Sequence, residues 1–279
     1  TDNEERSIDP SKELLLSAFN ETTKASGFFK LSIKDGKLTK LMMDNYRFSG
    51  AIKAKNANQL LYTRENFREF PDVWVSDVSF TNPRKITDAN PQMKNYFWGS
   101  VEMVHWTSLD NIPLSGLLYK PEGFDPKKKY PMIVNFYEKE SDNLYAHIRP
   151  EPLRSTINKT VYTSNGYLVF VPDIVYKIGF PGESARNCIM PGVTSLIERG
   201  FVDEKNIGVQ GHSWGGYQIA YLVTRTNLFK CAEAGAPVAN MISAYGGIRW
   251  ETGLSRMFQY EHSQSRIGGT LWEKPMHFI

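Results

Sequence analysis

Hydrophobic and polar positions follow two different rhythms along the 279-residue chain. In the first hundred residues, apolar positions fall in short alternating runs at 11–16, 27–33 and 36–41, then at 58–63, 72–78 and 83–88. Alternation with period two is the mark of half-buried strands. The turns between them carry Asp35-Gly36 and Asn82-Pro83, residue pairs that reverse a chain tightly. The two sets are copies of one unit. Leu15 and Leu61 are 46 residues apart, and both Phe29–Trp74 and Lys40–Lys85 are 45 apart. Several short strands per unit of that length is the spacing of β-propeller blades. Two blades do not close a propeller, so the sequence predicts a propeller incomplete at its N-terminus over residues 1–100.

The second rhythm starts after a passage at residues 98–105. Residues 104–110 and 112–119 read as a two-stranded edge ribbon, followed by a charged loop at 125–130. Residues 131–137 and 166–172 are continuous apolar runs, as are the centres of 205–210 and 230–234. Between and after them, 156–164, 187–199 and 217–223 read as helices. Strands that lack alternation and are separated by helices predict a mostly parallel sheet covered on both faces. The second domain is therefore placed at residues 101–279. In such a sheet ligands sit beyond the C-terminal strand ends, where Tyr137 and Ser213 both fall.

The chemistry centres on Gly211-His212-Ser213-Trp214-Gly215, a Gly-x-Ser-x-Gly pattern with a strand before and a helix after. That is the context of a nucleophile elbow. A serine on so sharp a turn projects its hydroxyl above the sheet, and the close approach of strand and helix requires Gly211 and Gly215. The helix start directs backbone N–H groups, Trp214 first, toward a developing oxyanion. His212 is not a candidate base for Ser213, because adjacent residues on a tight turn point apart. Asp203 reads as a turn residue before the elbow strand.

At Gly211-His212-Ser213-Trp214-Gly215-Gly216-Tyr217 the chain resembles the prolyl oligopeptidase family of serine peptidases. Residues 200–207 and Ala234-Gly235-Ala236-Pro237-Val238 are similar to it as well. The resemblance runs from Trp106 to Ile279. It implies an α/β hydrolase fold, incomplete at the C-terminus, preceded by propeller blades that cap the active-site entrance. It implies Ser213 as nucleophile, with the Tyr137 hydroxyl and the Trp214 N–H holding the oxyanion. Tyr245, Trp250 and Tyr217 would then line the pocket for the residue before the cut bond, often proline. The family usually carries small residues where this chain has Glu138-Lys139.

In this fold the triad runs Ser, Asp or Glu, His along the chain. No Asp occurs after Asp203, and the later histidines, His262 and His277, lack a preceding strand. The triad Asp and His are therefore expected to be absent from this chain, and the chain alone to be inactive. No His/Cys/Asp/Glu cluster has metal spacing, and no cofactor is called for.

Composition adds bounds only. A net charge of +3 with 41% hydrophobic residues describes a globular protein and does not argue for nucleic acid. No apolar run reaches the length of a membrane span. Two cysteines, Cys188 and Cys231, make no disulfide framework. The polar start carries no signal-peptide pattern, and a removed or upstream leader stays open. The compartment stays open between periplasmic or secreted and cytoplasmic, and so does homo-oligomerisation. Three functions compete: a peptidase acting on short peptides, an acyl esterase on the same fold, and a catalytically inactive interaction module formed by this fragment. A size-sieving propeller favours the peptidase.

Overall fold

The structure, a computed structural model, describes residues 8–153 and 155–279. Seven strands come first: β1 (Glu13–Phe19), β2 (Ser26–Ser32), β3 (Leu38–Asp44), β4 (Arg47–Lys53), β5 (Leu60–Asn66), β6 (Glu69–Ser76) and β7 (Arg84–Lys85). They make two antiparallel sheets, in the orders β1-β2-β3 and β4-β5-β6-β7. Among the described residues of this region, the helical content is one short 3-10 turn at Pro91–Asn95. Exposure in β1 alternates strictly along the strand, as its sequence does. The 45-residue offset relates β2 to β6 and β3 to β7. The strand β4 has no counterpart in the sequence reading. Gly50, at φ 67°, breaks its register with β5, so its apolar positions never alternate. The core of these sheets is small and aromatic. Phe28 stacks on Phe80 at 4.7 Å, and Tyr62 meets Phe28 edge-on at 6.2 Å.

The rest of the chain builds one mixed sheet and its helices. In chain order these are β8 (Ser100–Thr107), β9 (Pro113–Lys120), β10 (Tyr130–Asn135), α1 (Lys159–Ser164), β11 (Leu168–Pro172) and α2 (Pro181–Glu198). Then come β12 (Val202–His212), α3 (Trp214–Val223), β13 (Cys231–Gly235), α4 (Met241–Tyr245) and α5 (Met257–Glu261). The sheet order is β13-β12-β10-β11-β9-β8. The pairs β10–β11, β10–β12 and β12–β13 are parallel, while β9 runs antiparallel to both β11 and β8. The ribbon read from the sequence is thus β8 and β9, with β8 at the sheet edge. In β11, Leu168 and Phe170 enter the core beneath α2 and α3, while Val169 and Val171 face the other way, yet all four are fully buried. A strand covered on both faces has no reason to alternate.

Several boundaries differ from the sequence reading: β8 begins at Ser100 rather than at 104 and α1 at Lys159 rather than at 156, and two further differences have a local cause. The helix expected at 187–199 begins at Pro181. Gly179-Phe180-Pro181-Gly182 looks like a loop in sequence, but proline at the first helical position loses no hydrogen bond. Gly182 there lets Tyr221 pack close, since a Cβ would sit 2.7 Å from its ring. Asp203 lies inside β12, not ahead of it. Between Val202 and Ile207 the pairing with β10 slips, and Asp203 accepts from Lys205 N and Asn206 Nδ2. Its turn-forming chemistry produces an irregularity within a continuous strand.

The described chain separates into two compact units. One comprises the described residues up to Phe97 with Asp142–Arg149, the other Trp98–Ser141 with the described residues from Pro150 to Ile279. Residues 142–149 therefore pack with the antiparallel sheets, although the sequence reading puts them within 101–279. Lys24 Nζ pairs with Asp142 at 2.7 Å, and His147 packs edge-on against Phe70 while its N–H donates to Glu65. Among the described residues, no helix is long and apolar enough to cross a membrane.

Candidate active site

Ser213 follows the last residue of β12 and precedes the first of α3. Its φ of 57° and ψ of −109° are conformations an L-residue rarely adopts. Strain of this kind costs about 1–3 kcal/mol and persists where the surroundings over-determine it. Here two hydrogen bonds hold the turn: Ser213 N–H donates to Gly235 O at 2.7 Å, and Tyr217 N–H to Ser213 O at 3.0 Å. Glycines allow the crowding around it. A Cβ on Gly211 would lie 2.9 Å from the Gly215 carbonyl carbon, and one on Gly215 would lie 2.6 Å from the Phe136 carbonyl oxygen. Both approaches are to backbone, which cannot move aside cheaply.

Trp214 opens α3, so its N–H is among those with no acceptor inside the helix. Its buried indole stacks on Tyr217 at 4.4 Å, and burial pushes the Tyr217 phenol up to about 12.

Tyr137 reaches the same place from the neighbouring strand. β10 and β12 are parallel, with Asn135 opposite Gln210, so the residues leaving both strands emerge side by side. The Tyr137 ring comes within 3.9 Å of the Cβ position of Gly215. Its carbonyl oxygen accepts from Gln218 Nε2 at 2.9 Å and from the Tyr176 hydroxyl at 3.3 Å. Burial raises the Tyr176 phenol well above its ordinary range, so it stays a neutral donor. At 36% exposure the Tyr137 side chain remains open to solvent. Its hydroxyl oxygen accepts from Gln264 Nε2, and the adjoining Glu138 pairs with Arg266. Glu138 thus has an opposite charge to meet, which accounts for an acidic residue in a loop where small ones were expected.

The three aromatic pocket candidates separate. Tyr217 lies beside the elbow. Tyr245 is 2% exposed, packed in a cluster with Trp214, Tyr260 and Phe278, and its hydroxyl donates to Glu261 Oε1 at 2.5 Å. Trp250 is 100% exposed. The histidines are engaged elsewhere: His212 Nδ1 lies 2.6 Å from Ser155 Oγ, His262 pairs with Glu261, and His277 Nδ1 lies 2.7 Å from Gly179 O. Among the described residues no hydrogen bond joins a histidine to Ser213. The sequence reading missed Gln218, Tyr176, Gln264 and Arg266 around Tyr137. Gln218 carried a signal, a polar residue inside an apolar helix one turn after Trp214. The others lie in loops with no periodicity to mark them.

The elbow is also where sequence comparison finds relatives. The model of the prolyl oligopeptidase family matches residues 185–264, which contain Ser213. The uncharacterized peptidase YuxL of Bacillus subtilis is 26% identical over 207 residues, which is 68% of this chain and 30% of that protein. Human dipeptidyl peptidase 8 is 27% identical over 60% of this chain and 19% of its own length. The chain thus spans less than a third of these curated relatives. The crystal structure of Porphyromonas gingivalis dipeptidyl peptidase 4 superposes with a TM-score of 0.71 over 97% of this chain and 38% of that one, at 20% identity. That likeness concerns the fold: antiparallel blade-like sheets followed by a mixed sheet with helices. In the match across its elbow and in these relatives, the chain is similar to members of the prolyl oligopeptidase family.

Proposed function

We propose that the protein carrying this chain is a serine peptidase whose nucleophile is Ser213. The strained Ser213 backbone between β12 and α3, admitted by Gly211 and Gly215, carries this reading. Ser213 Oγ attacks the carbonyl carbon of a peptide bond and gives its proton to a histidine base. The negative charge on the carbonyl oxygen is met by the Trp214 N–H and the Tyr137 hydroxyl. The base then protonates the departing amine, and water releases the acyl group from Ser213 by the reverse sequence. The base and its acidic partner come from residues outside these 279. The α/β hydrolase unit, about residues 101–279 without 142–149, supplies the nucleophile and the oxyanion donors. The blades of residues 1–100 belong to a propeller that restricts substrates to short peptides. Tyr217 contributes to the pocket for the residue before the cut bond, for which proline is the expected choice. Tyr245 supports that pocket from behind Trp214, and Trp250 reaches it only by moving.

The test is made on the full-length protein. Ser213→Ala should abolish both turnover of a chromogenic peptide with proline before the cut bond and labelling by a fluorophosphonate, with the circular dichroism spectrum unchanged. Removing a serine of this kind costs several orders of magnitude in rate. Turnover near the wild-type rate would eliminate Ser213 as nucleophile. Labelling that requires Ser213, with ester turnover and no peptide turnover, would move the protein to the acyl esterases.

A further inference from the structure

Tyr137 is the end of a chain of hydrogen bonds that begins at an arginine. Arg249 Nη2 donates to Gln259 Oε1 at 2.7 Å, Gln259 Nε2 donates to Gln264 Oε1 at 2.6 Å, and Gln264 Nε2 donates to the Tyr137 hydroxyl oxygen. The direction of this chain is not arbitrary. A guanidinium has donors only, so the group facing Arg249 must be the Gln259 carbonyl. That places the Gln259 NH2 toward Gln264, which must then present its own carbonyl there and its NH2 to Tyr137. At the end of the relay the phenol oxygen is an acceptor. The phenol proton is therefore left to donate elsewhere.

The chain is also held in place. Gln259 is 8% exposed, and its backbone carbonyl oxygen accepts from Ser265 N–H at 3.1 Å. Arg266, paired with Glu138, donates to the backbone carbonyl oxygen of Gln264 at 2.8 Å and lies 4.8 Å over the Tyr176 ring. Residues 264–266 thus grip Tyr137 and Glu138 at two successive positions.

We infer that Gln264, oriented by Gln259 and Arg249, is a positioning residue that fixes the Tyr137 hydroxyl as a donor toward the reacting carbonyl oxygen. This rests on the role given to Tyr137 above. Two consequences follow for the reaction. A phenol that already accepts a hydrogen bond from a polarised amide is a stronger donor. A phenol whose rotor is set in advance also need not reorganise when the oxyanion forms.

Kinetics of the full-length protein test this with the same proline-containing chromogenic peptide and with the rate of fluorophosphonate labelling, which needs no pocket for proline. Tyr137→Phe should lower kcat by about 10²-fold, as loss of one oxyanion donor does. Gln264→Glu keeps the shape but offers no N–H, and should lower kcat by about 10-fold with KM unchanged. In the Tyr137→Phe background the same change should cost less than about 2-fold, because coupled residues are not additive. Arg249→Met, at an exposed position, leaves the amides free to turn over and should cost about 2–3-fold in kcat, again only when Tyr137 is present. Wild-type kcat in Gln264→Glu, or an equal loss in both backgrounds, would overturn the relay while leaving Tyr137 in its role. A silent Tyr137→Phe would remove Tyr137 itself from the mechanism, whatever Gln264 does. Should Gln264→Glu misfold, Arg249→Met paired with Tyr137→Phe gives the same cycle: a coupled loss supports the relay, and an additive or absent one overturns it.

Discussion

Strands β1 and β11 show what separates the two units of this chain. Both are rich in aliphatic residues, Leu14, Leu15 and Leu16 in β1 and Leu168, Val169 and Val171 in β11, yet β1 alternates between exposed and half-buried residues while every residue of β11 is buried. The antiparallel sheets rest on a small aromatic core built on Phe28, Leu60, Tyr62 and Phe80. In the mixed sheet, β11 has a core of aliphatic and aromatic side chains beneath it and a second covered face above. Strand propensity does not distinguish the two cases. The number of covered faces does, and it sets how much a residue's loss should cost.

That contrast can be broken by substitution. Phe170, fully buried and packed edge-on against Trp106 at 5.4 Å, is the most exacting position. Phe170→Ala should destabilise the mixed-sheet unit by about 3–5 kcal/mol, seen as faster hydrogen exchange across β10, β11 and β12 in the full-length protein. A cost below about 1 kcal/mol would mean that α2 collapses onto the sheet and that the core is far less rigid than its packing suggests.

Gly215→Ala comes next. The added methyl meets the Phe136 carbonyl oxygen at 2.6 Å and must push the elbow away from β10. A loss of about 1–3 kcal/mol is expected, with phosphonate labelling of Ser213 slowed more than stability alone explains. Labelling at the wild-type rate would show that the close approach is not needed to present the serine.

The antiparallel sheets should instead be sensitive to acid. Burial alone would raise the Asp72 carboxyl, but Ala89 N–H, Thr87 Oγ and Lys85 Nζ all donate to it, and it ends below its ordinary value of 3.8. A depressed carboxyl contributes stability above its unfolded pKa and loses it as pH falls through the folded one. Stability of this unit should therefore decline below pH 3.8. Asp72→Asn should remove about 1–2 kcal/mol at neutral pH and flatten that decline. Thermal melts across the acid range check both, and an unchanged slope would exclude Asp72 as a contributor. The smallest effect is set at Leu61, on the solvent side of β5 at 42% exposure. Leu61→Ala should change stability by no more than about 0.5 kcal/mol in the same melts. A larger loss would mean that another surface covers β5 in the full-length protein.

Local chemistry was legible in the amino-acid order. The elbow depends on residues within a few positions of one another, and Gly211, Ser213 and Gly215 stand at the spacing the turn demands. The 45-residue offset between blades, the edge ribbon of β8 and β9 and the strands about Tyr137 and Ser213 were readable for the same reason, because each rests on nearest-neighbour geometry or on periodicity. β4 escaped because Gly50 spoils its alternation, and the first turn of α2 escaped because Pro181 and Gly182 resemble a loop until tertiary packing is known.

What only the tertiary structure decided is how distant residues are paired. Tyr137 and Gln264 are separated by 127 positions, and neither Gln264 nor Arg249 belongs to any pattern along the chain. Tyr245, taken as a pocket residue through the family resemblance, is packed behind Trp214 because Trp272 and Phe278 from the last residues pack edge-on against it. Trp250, chosen for the same reason, is left in solvent. A side chain's neighbours in sequence are set by covalent spacing, which the residues themselves reveal. Its neighbours in space are set by which loops pack across the strand ends, a result of burying the whole core at once that no short stretch encodes.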